Sequence, residues 1–499
     1  MAEMAVCSPR SNRDFCHLRG VTRPSKGELL FRLRDRSLSP EEISKAIAVL
    51  RGRAGIGGQD LLCDLKEYTI VIGTLGRFAR WGEALELLQE LAPKGLEPSV
   101  ITLNAALAAL ASGRRRADQL DNSKEGPWGK SLHLLSRMEQ QMLEPDKITY
   151  SAVISACEKG YQWTLALGLL GRAVGRSDVK MDVILCSAVI SACEKCARWE
   201  QALQLLQKTS VVRVQANAFS FGAAVSACEK GARWEVAIEL LAEMGRRRVV
   251  ADVVVYSATI SACEKGGAPH AALALLYDMR CQRIQPDIVC CNAAMSACEK
   301  AAWWKEPMQL LKHMKGHGPM PDSITYNAAV SACAKRGRWA SALALLAEVR
   351  GSGRGLQVSV ITCSAAMDAC DKAPKPRWEV ALKLLAAMPV EWQVEPNEFS
   401  YAAALSACGR EWQARAALQL LRDKELCGGY VLNPLDYTCV VQACSVGGHP
   451  KGACQVLQEL RLRARTALKP GAEWLGAARA VALDSRRRNL GTDLFSPAS

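Results

Sequence analysis

Histidine is scarce and long apolar runs are missing. Only six histidines occur in 499 residues. His270, His313, His317 and His449 are scattered in expected turns and helix ends, so they form no catalytic or metal-binding constellation. No run of about 18 uninterrupted apolar residues exists, so no ordinary membrane-spanning helix is expected. No secretory signal is visible, so the 21 cysteines are expected in a reducing compartment without a disulfide framework. Lys124 to Ser131 ends in Gly129-Lys130-Ser131, but Lys124 stands where a phosphate loop needs its first glycine, and no strand precedes it. Cys193 and Cys196 form a Cys-x-x-Cys pair with no second pair at zinc spacing. No His-x-Glu with a downstream Pro-Cys-x-x-Cys marks a deaminase. These absences argue against an enzyme, a metal, a cofactor and a small-molecule substrate.

What is present is charge and periodicity. Lys plus Arg number 64 against 50 Asp plus Glu, a net +14, which suits a polyanion partner or a merely basic surface. A 49% apolar content is globular. Length alone would suggest about three domains, but an internal repeat overrides that prior. Cys157, Cys193, Cys228, Cys263, Cys298, Cys333, Cys370, Cys408 and Cys444 recur every 35 to 38 residues. Cysteines at a repeat period read as small buried apolar side chains, one per unit.

Units start at Leu65, Val100, Lys147, Val183, Ala218, Val253, Ile288, Ser323, Val360, Glu398 and Asp436. Each reads as two helices. Pro321-Asp322 stops the chain and Asp322 caps a first helix through Ile324, Tyr326, Ala328, Ala329 and Cys333. Gly337 breaks it, and a second helix runs from Arg338-Trp339 through Ala342, Leu343, Leu345 and Leu346. One hairpin cannot bury its own apolar face, whereas stacked hairpins share a continuous core. The expected fold is all-α, a right-handed α-solenoid of about eleven 35-residue helix-turn-helix repeats over residues 65–470. A polar, turn-rich insertion is expected near 113–130, as a surface loop.

The 35-residue period, the Pro-Asp boundary, openings such as Ile148-Thr149-Tyr150-Ser151 and Ile324-Thr325-Tyr326-Asn327, and the Ala-Leu-x-Leu-Leu second helix resemble pentatricopeptide repeats, as a P-type array. The Ser-Ala-Cys-Glu-Lys core followed by Trp resembles algal, especially dinoflagellate, members. The resemblance implies single-stranded RNA binding at one base per repeat, in a mitochondrion or plastid, for RNA processing, stabilisation or translation. Organellar RNA-processing proteins would be further partners.

In the family the second residue of each unit wedges between bases. Here that residue is Ile101, Ile148, Ile184, Phe219, Val254, Val289, Ile324, Ile361, Phe399 and Tyr437, with Lys66 departing in the first unit. The fifth residue and the last residue of the same unit contact the base edge. The resulting pairs are Thr69/Ser99, Asn104/Asp146, Ser151/Asp182, Ser187/Asn217, Gly222/Asp252 and Ser257/Asp287. They continue as Asn292/Asp322, Asn327/Ser359, Ser364/Asn397, Ala402/Leu435 and Val440/Pro470. An Asn amide offers a donor and an acceptor, and a Ser hydroxyl rotates to suit. By the family's rule units two to nine would read 5′-U-G-A-N-G-U-C-A-3′, and the last two would select no base. Small polar residues at one such place would also suit a protein-binding helical scaffold, which is the alternative function.

Lys159, Lys195, Lys230, Lys265, Lys300, Lys335 and Lys372 recur eight residues after the fifth position. They are candidate phosphate contacts, or cations favoured at a helix C-terminus, with neighbouring glutamates lowering the local field. Arg80-Trp81, Arg198-Trp199, Arg233-Trp234, Arg338-Trp339 and Arg377-Trp378 interleave basic and aromatic residues, as base stacking would use, but are expected to pack between repeats, Arg over Trp, on the side away from RNA. Residues 1–37 are arginine-rich with few acids, as in a transit peptide or a disordered basic tail. A capping helix is expected within 38–64, starting at Ser39-Pro40-Glu41-Glu42, and a capping helix and tail within 471–499, a stretch too short for a nuclease domain.

Overall fold

The computed structural model describes residues 26–34, 39–51, 62–113, 126–175, 182–211, 216–351, 358–426 and 433–466. Every regular element among the described residues is helical. Residues 114–125 of the expected insertion, residues 1–25 and the segment 471–499 lie outside them.

The chain divides into two compact units, residues 1–223 and 224–499. The first holds α1 (Lys26–Arg34) and α2 (Pro40–Leu50), then the pairs α3 (Leu65–Arg77) with α4 (Trp81–Glu90), and α5 (Val100–Ser112) with α6 (Pro127–Gln140). It continues with α7 (Lys147–Lys159) and α8 (Trp163–Val174), α9 (Val183–Lys195) and α10 (Trp199–Val211), and the start of α11 (Ala218–Lys230). The second unit takes the rest of α11 and α12 (Trp234–Arg246), then α13 (Val253–Gly266) with α14 (Pro269–Cys281), and α15 (Ile288–Lys300) with α16 (Lys305–His317). It ends with α17 (Ser323–Lys335) and α18 (Trp339–Gly351), α19 (Val360–Asp371) and α20 (Trp378–Glu391), α21 (Glu398–Arg410) and α22 (Ala414–Leu426), and α23 (Pro434–Val446) with α24 (Pro450–Thr466).

The boundaries have a local cause. The residue that closes each repeat is the N-cap of the next first helix. Asp146, Asp252, Asp287 and Asp322 accept the backbone N–H of the third helical residue at 2.8–2.9 Å. Ser99 and Ser359 do the same at 3.4 and 3.2 Å. Such caps are each worth about 1 kcal/mol. Within the first unit α3, α5, α7 and α9 pack side by side, and within the second α13, α15, α17, α19, α21 and α23 do. The second helices pack against the first helix of their own repeat and of the next, so each unit has two layers.

Small side chains allow this close approach. The nine repeat cysteines are buried in the first-helix layer beside alanines. Burial pushes their thiols up, to about 11 for Cys157, Cys193, Cys263, Cys333 and Cys370 and about 12 for Cys228, Cys298 and Cys408. They are inert apolar packing groups, as their spacing suggests.

Several of the turns inside the hairpins take one left-handed residue. Ala197, Ala232, Ala302 and Gly337 supply it, with φ between 52 and 61°. At Gly337 a Cβ would stand 2.3 Å from the Lys372 carbonyl oxygen, so glycine is required there by space as well as by φ. Trp81, Trp128 and Trp234, at the starts of second helices, pack onto the end of the next first helix. A Cβ on Gly266 would lie 2.3 Å from Trp234 Cδ1. In three places an arginine of the following repeat covers the ring: Arg198 covers Trp163, Arg338 covers Trp304 and Arg377 covers Trp339, at 4.4–5.3 Å. The Arg-Trp dipeptides are therefore links between neighbours rather than self-contained stacks.

Two features differ from the sequence expectation. Helix α1 falls within the segment read as a leader or tail, and it docks on α3: Arg77 donates to the Leu33 carbonyl at 2.6 Å and Lys26 pairs with Glu67 at 2.8 Å. The last repeat begins at Pro434, not Asp436, with Asn433 as N-cap. Asp436 is the third helical residue, where it accepts the Asn433 N–H at 3.0 Å and pairs with the fully buried Lys424 at 2.6 Å. Tyr437 is accordingly the buried fourth residue, equivalent to Tyr150 and Tyr256, and Cys444 is again the eleventh. The second residue of this repeat is Leu435 instead of Tyr437, its fifth is Thr438 instead of Val440, and the residue paired with Ala402 is Asn433 instead of Leu435. Pro470 loses its assigned place in the scheme.

Candidate nucleic-acid interface

The N-terminal ends of the first helices carry the candidate residues. The second helical residue is apolar and points to solvent in repeat after repeat. Ile101, Ile148, Ile184 and Phe219 do so in the first unit, and Val254, Val289, Ile324, Ile361, Phe399 and Leu435 in the second, all 53–74% exposed. The third and fourth residues beside them are mostly buried, as Thr149 and Tyr150 are. Helical geometry alone does not demand an apolar group at the exposed place, where a charged one would be solvated at no cost.

The fifth residue lies one turn along, and the last residue of its repeat meets it across the neighbouring helix start. Asn104 Nδ2 donates to both Asp146 oxygens at 3.1 and 3.2 Å, and Asn292 Nδ2 to both Asp322 oxygens at 3.2 and 3.3 Å. In the eighth repeat the sense reverses: Ser359 Oγ donates to Asn327 Oδ1 at 3.3 Å. The serine repeats differ. Ser187 turns its hydroxyl onto the Ile184 carbonyl at 2.9 Å and Ser364 onto that of Val360. Asp182 receives the Val183 N–H at 2.7 Å and the Lys147 ammonium. Asn217 and Asn397 are occupied by the backbone and hydroxyl of Ser220 and Ser400, at 2.9 Å each. Ser151 and Ser257 are half-buried at the matching place, and Asp252 and Asp287 are exposed.

Charge at these pairs is held firmly. Burial works to raise the Asp146 and Asp322 carboxyls, but hydrogen bonds from Thr149 and Asn104, and from Thr325 and Asn292, outweigh it and hold both below the ordinary 3.8. The carboxylates stay ionised acceptors at neutral pH.

A group that spacing did not single out completes the constellation. The third residue of the next repeat faces the asparagine oxygen. Thr149 Oγ1 donates to Asn104 Oδ1 at 2.7 Å, Thr325 Oγ1 to Asn292 Oδ1 at 2.6 Å, and Thr362 Oγ1 to Asn327 Oδ1. The signal for it was an Asn in one repeat matched by a Thr 33 to 45 residues later.

The lysine series sits at the other end of the same helices, eight residues or about 12 Å along the axis from the fifth residue. Its members face the acid of the preceding repeat. Lys195 pairs with Glu158 at 2.8 Å, Lys265 with Glu229 at 2.8 Å, Lys300 with Glu264 at 3.0 Å and Lys335 with Glu299 at 3.3 Å. Ser191, Ser296 and Ser331 donate to Glu158, Glu264 and Glu299 at 2.7–2.9 Å. Lys159 donates to the Ala111 carbonyl, Lys372 pairs with Asp368 in its own repeat, and Lys230 ends α11 at the equivalent place.

Among the described residues no cluster of three His, Cys, Asp or Glu side chains could hold a metal, and no helix is long and apolar enough to cross a membrane. Cys193 is buried while Cys196 donates to the Tyr161 carbonyl at 3.2 Å. Lys130 lies over the Trp81 ring at 4.6 Å.

A pentatricopeptide repeat domain model matches residues 239–301 and 274–336, and a PPR repeat model matches 324–354, all in the second unit. The crystal structure of the pentatricopeptide repeat protein PPR10 from maize superposes with a TM-score of 0.56 at 20% identity, over 92% of this chain and 62% of that one. PPR10 in complex with an 18-nt psaJ RNA element gives a TM-score of 0.45 at 21% identity, over 92% and 63%. Yeast Rmd9p in complex with a 16-nt target RNA gives 0.35 at 12% identity, over 87% and 93%. The chain thus spans about three fifths of the length of PPR10. No curated protein matches it by sequence. Residues 239–354 thus match pentatricopeptide repeats, and the chain shares the fold of PPR10.

Proposed function

We propose that this chain binds single-stranded RNA along the N-terminal ends of its first helices, one base per repeat, without catalysing a reaction. The observation that carries this reading is the exposed apolar second residue, repeated at one register beside a polar fifth-residue pair. An apolar side chain, branched or aromatic, can wedge between unstacked bases, and such a contact is sequence-tolerant because every base has a π-face. The adjoining pair can then discriminate by hydrogen bonding. The maize protein of the same fold binds an RNA element, according to its structure.

Repeats two to four would read U-G-A from Asn104/Asp146, Ser151/Asp182 and Ser187/Asn217. Repeats six to nine would read G-U-C-A from Ser257/Asp287, Asn292/Asp322, Asn327/Ser359 and Ser364/Asn397, with the Gly222 repeat unselective. With the corrected phase the last repeat gains a wedge, Leu435, and a polar fifth residue, Thr438. The lysines at the far helix ends serve as a secondary field for the phosphates, tempered by their acidic partners. The setting is an organelle, a mitochondrion or plastid, where the bound strand is shielded from nucleases or presented to processing proteins. The test is binding of a labelled 5′-UGANGUCA-3′ strand against a scrambled one. Preference for the first supports the reading; equal, weak binding to both favours a protein-binding scaffold.

A further inference from the structure

The asparagine repeats and the serine repeats differ in one more residue than the pair accounts for. Asn104, Asn292 and Asn327 at the fifth place are followed, at the third place of the next repeat, by Thr149, Thr325 and Thr362. Ser151, Ser187, Ser257 and Ser364 are followed there by Leu185, Ser220, Cys290 and Ser400, and Gly222 by Val255. Threonine follows each of these asparagines and none of these serines. A residue that only capped a helix would have no reason to track the side chain of the repeat before it.

The geometry supplies a reason. An asparagine amide has the same shape after a half-turn about its last bond, but its donor and acceptor exchange places. At Asn292 the carboxylate of Asp322 takes the Nδ2 end at 3.2–3.3 Å, while the Thr325 hydroxyl faces Oδ1 at 2.6 Å. A flipped amide would set its oxygen against that carboxylate. Asn104 is held in the same way between Asp146 and Thr149. At Asn327, where Ser359 replaces the acid, Ser359 and Thr362 both converge on Oδ1, and the Nδ2 end is turned away from them. Thr325 and Thr149 are themselves fully buried, and Asp322 and Asp146 also lie 2.8 Å from their hydroxyls; each carboxylate already receives the asparagine amide and a backbone N–H, so the single hydroxyl proton is assigned to the asparagine oxygen.

We infer that the third residue of a repeat is a positioning residue for base selection by the repeat before it: Thr149, Thr325 and Thr362 fix which face of the asparagine amide is offered to the base. This rests on the RNA-binding reading above. The reading unit is then a triplet that spans two repeats: fifth residue, closing residue, and third residue of the next helix. Threonine leaves one amide N–H and one oxygen lone pair outward in a fixed order. A residue without that hydroxyl leaves the order to rotation, and selection between the two pyrimidines weakens.

The experiment uses the full chain and labelled octamers that differ only at the base facing Asn292. Thr325→Val keeps the shape and removes the hydroxyl; Thr325→Ser keeps the hydroxyl. Thermal melting of each variant monitors loss of the cap. The wild type is expected to prefer one pyrimidine by about tenfold, Thr325→Val to fall to about twofold at that base with the ratio facing Ser364 unchanged, and Thr325→Ser to retain the preference. A gain of function is independent of any folding defect: Ser257→Asn alone should gain little pyrimidine preference, and Ser257→Asn with Cys290→Thr should gain it. The inference fails if wild-type selection is present and Thr325→Val lowers the melting temperature while leaving the ratio intact, or if Ser257→Asn alone suffices. A wild type that discriminates no base overturns the RNA reading itself, and the inference with it.

Discussion

The two ends of one first helix are built on opposite terms. At the C-terminal end of α17, Lys335 is tied to Glu299 of the previous repeat, Ser331 donates to the same acid, and Gly337 abuts the Lys372 backbone. At the N-terminal end Ile324 stands in solvent, and Asn292, Asp322 and Thr325 form a network with donors and acceptors to spare. The first end spends its polar chemistry on the neighbouring repeat. The second leaves an apolar group and a selective polar group facing outward. The contrast teaches where stability and ligand recognition separate within a repeat of 35 residues.

The largest effect should come from breaking the closed end. Gly337→Ala places a Cβ against a carbonyl oxygen at positive φ, and it should destabilise the second unit by roughly 1–3 kcal/mol. Chemical denaturation would measure the loss, and base preference at moderate temperature should not change. An unchanged midpoint would show that the turn relaxes freely.

At the open end the signs reverse. Ile324→Asp should alter stability by no more than about 0.5 kcal/mol, because the side chain is exposed, yet weaken RNA binding by about tenfold or more. Titration of labelled RNA alongside a thermal melt separates the two. A stability loss without an affinity loss would place Ile324 in packing rather than recognition.

Acid and alkali should attack different layers. The Asp146 and Asp322 carboxyls are held below 3.8, so the stability they contribute is present above that value and is lost as pH falls through their lowered values. The buried thiols are raised from 9.0 to about 11 or 12, so their contribution is complete below pH 9.0 and is lost as pH rises through those values. Circular dichroism melts across pH should show both flanks. A flat alkaline flank would mean the cysteines are solvated.

A smaller effect sharpens the role of the lysines. Glu299→Gln removes the partner of Lys335 and should cost no more than about 1 kcal/mol, since the pair is part-exposed. Where Lys335 lies near phosphate, the freed ammonium should steepen the salt dependence of RNA binding. An identical slope would leave the lysine purely a link between repeats.

Much of this was legible in the sequence because a repeat states its pattern many times. Cap residues and buried cysteines follow from spacing and chemistry that neighbouring copies corroborate, and the outward second residues from the family resemblance. The last repeat was misphased because Asp436 imitates the capping aspartates of other repeats, while its real place is decided by a buried ion pair with Lys424 and by Pro434 at the first helical position. The partners of the lysines were hidden for another reason. Glu158 binds Lys195 of the next repeat rather than its chain neighbour Lys159, and only the stacking of helices brings those two together. The role of the threonines at the third place was hidden in the same way, because each meets the asparagine of the preceding repeat only when the helices stack.

The most direct measurement is a base-by-base specificity profile of the chain carrying Asn292→Ser and Asn327→Ser. Modular reading by the fifth residues predicts altered preference at the two bases those repeats face and unchanged preference at the others. A uniform loss of affinity at every position, with no change in preference anywhere, would contradict it.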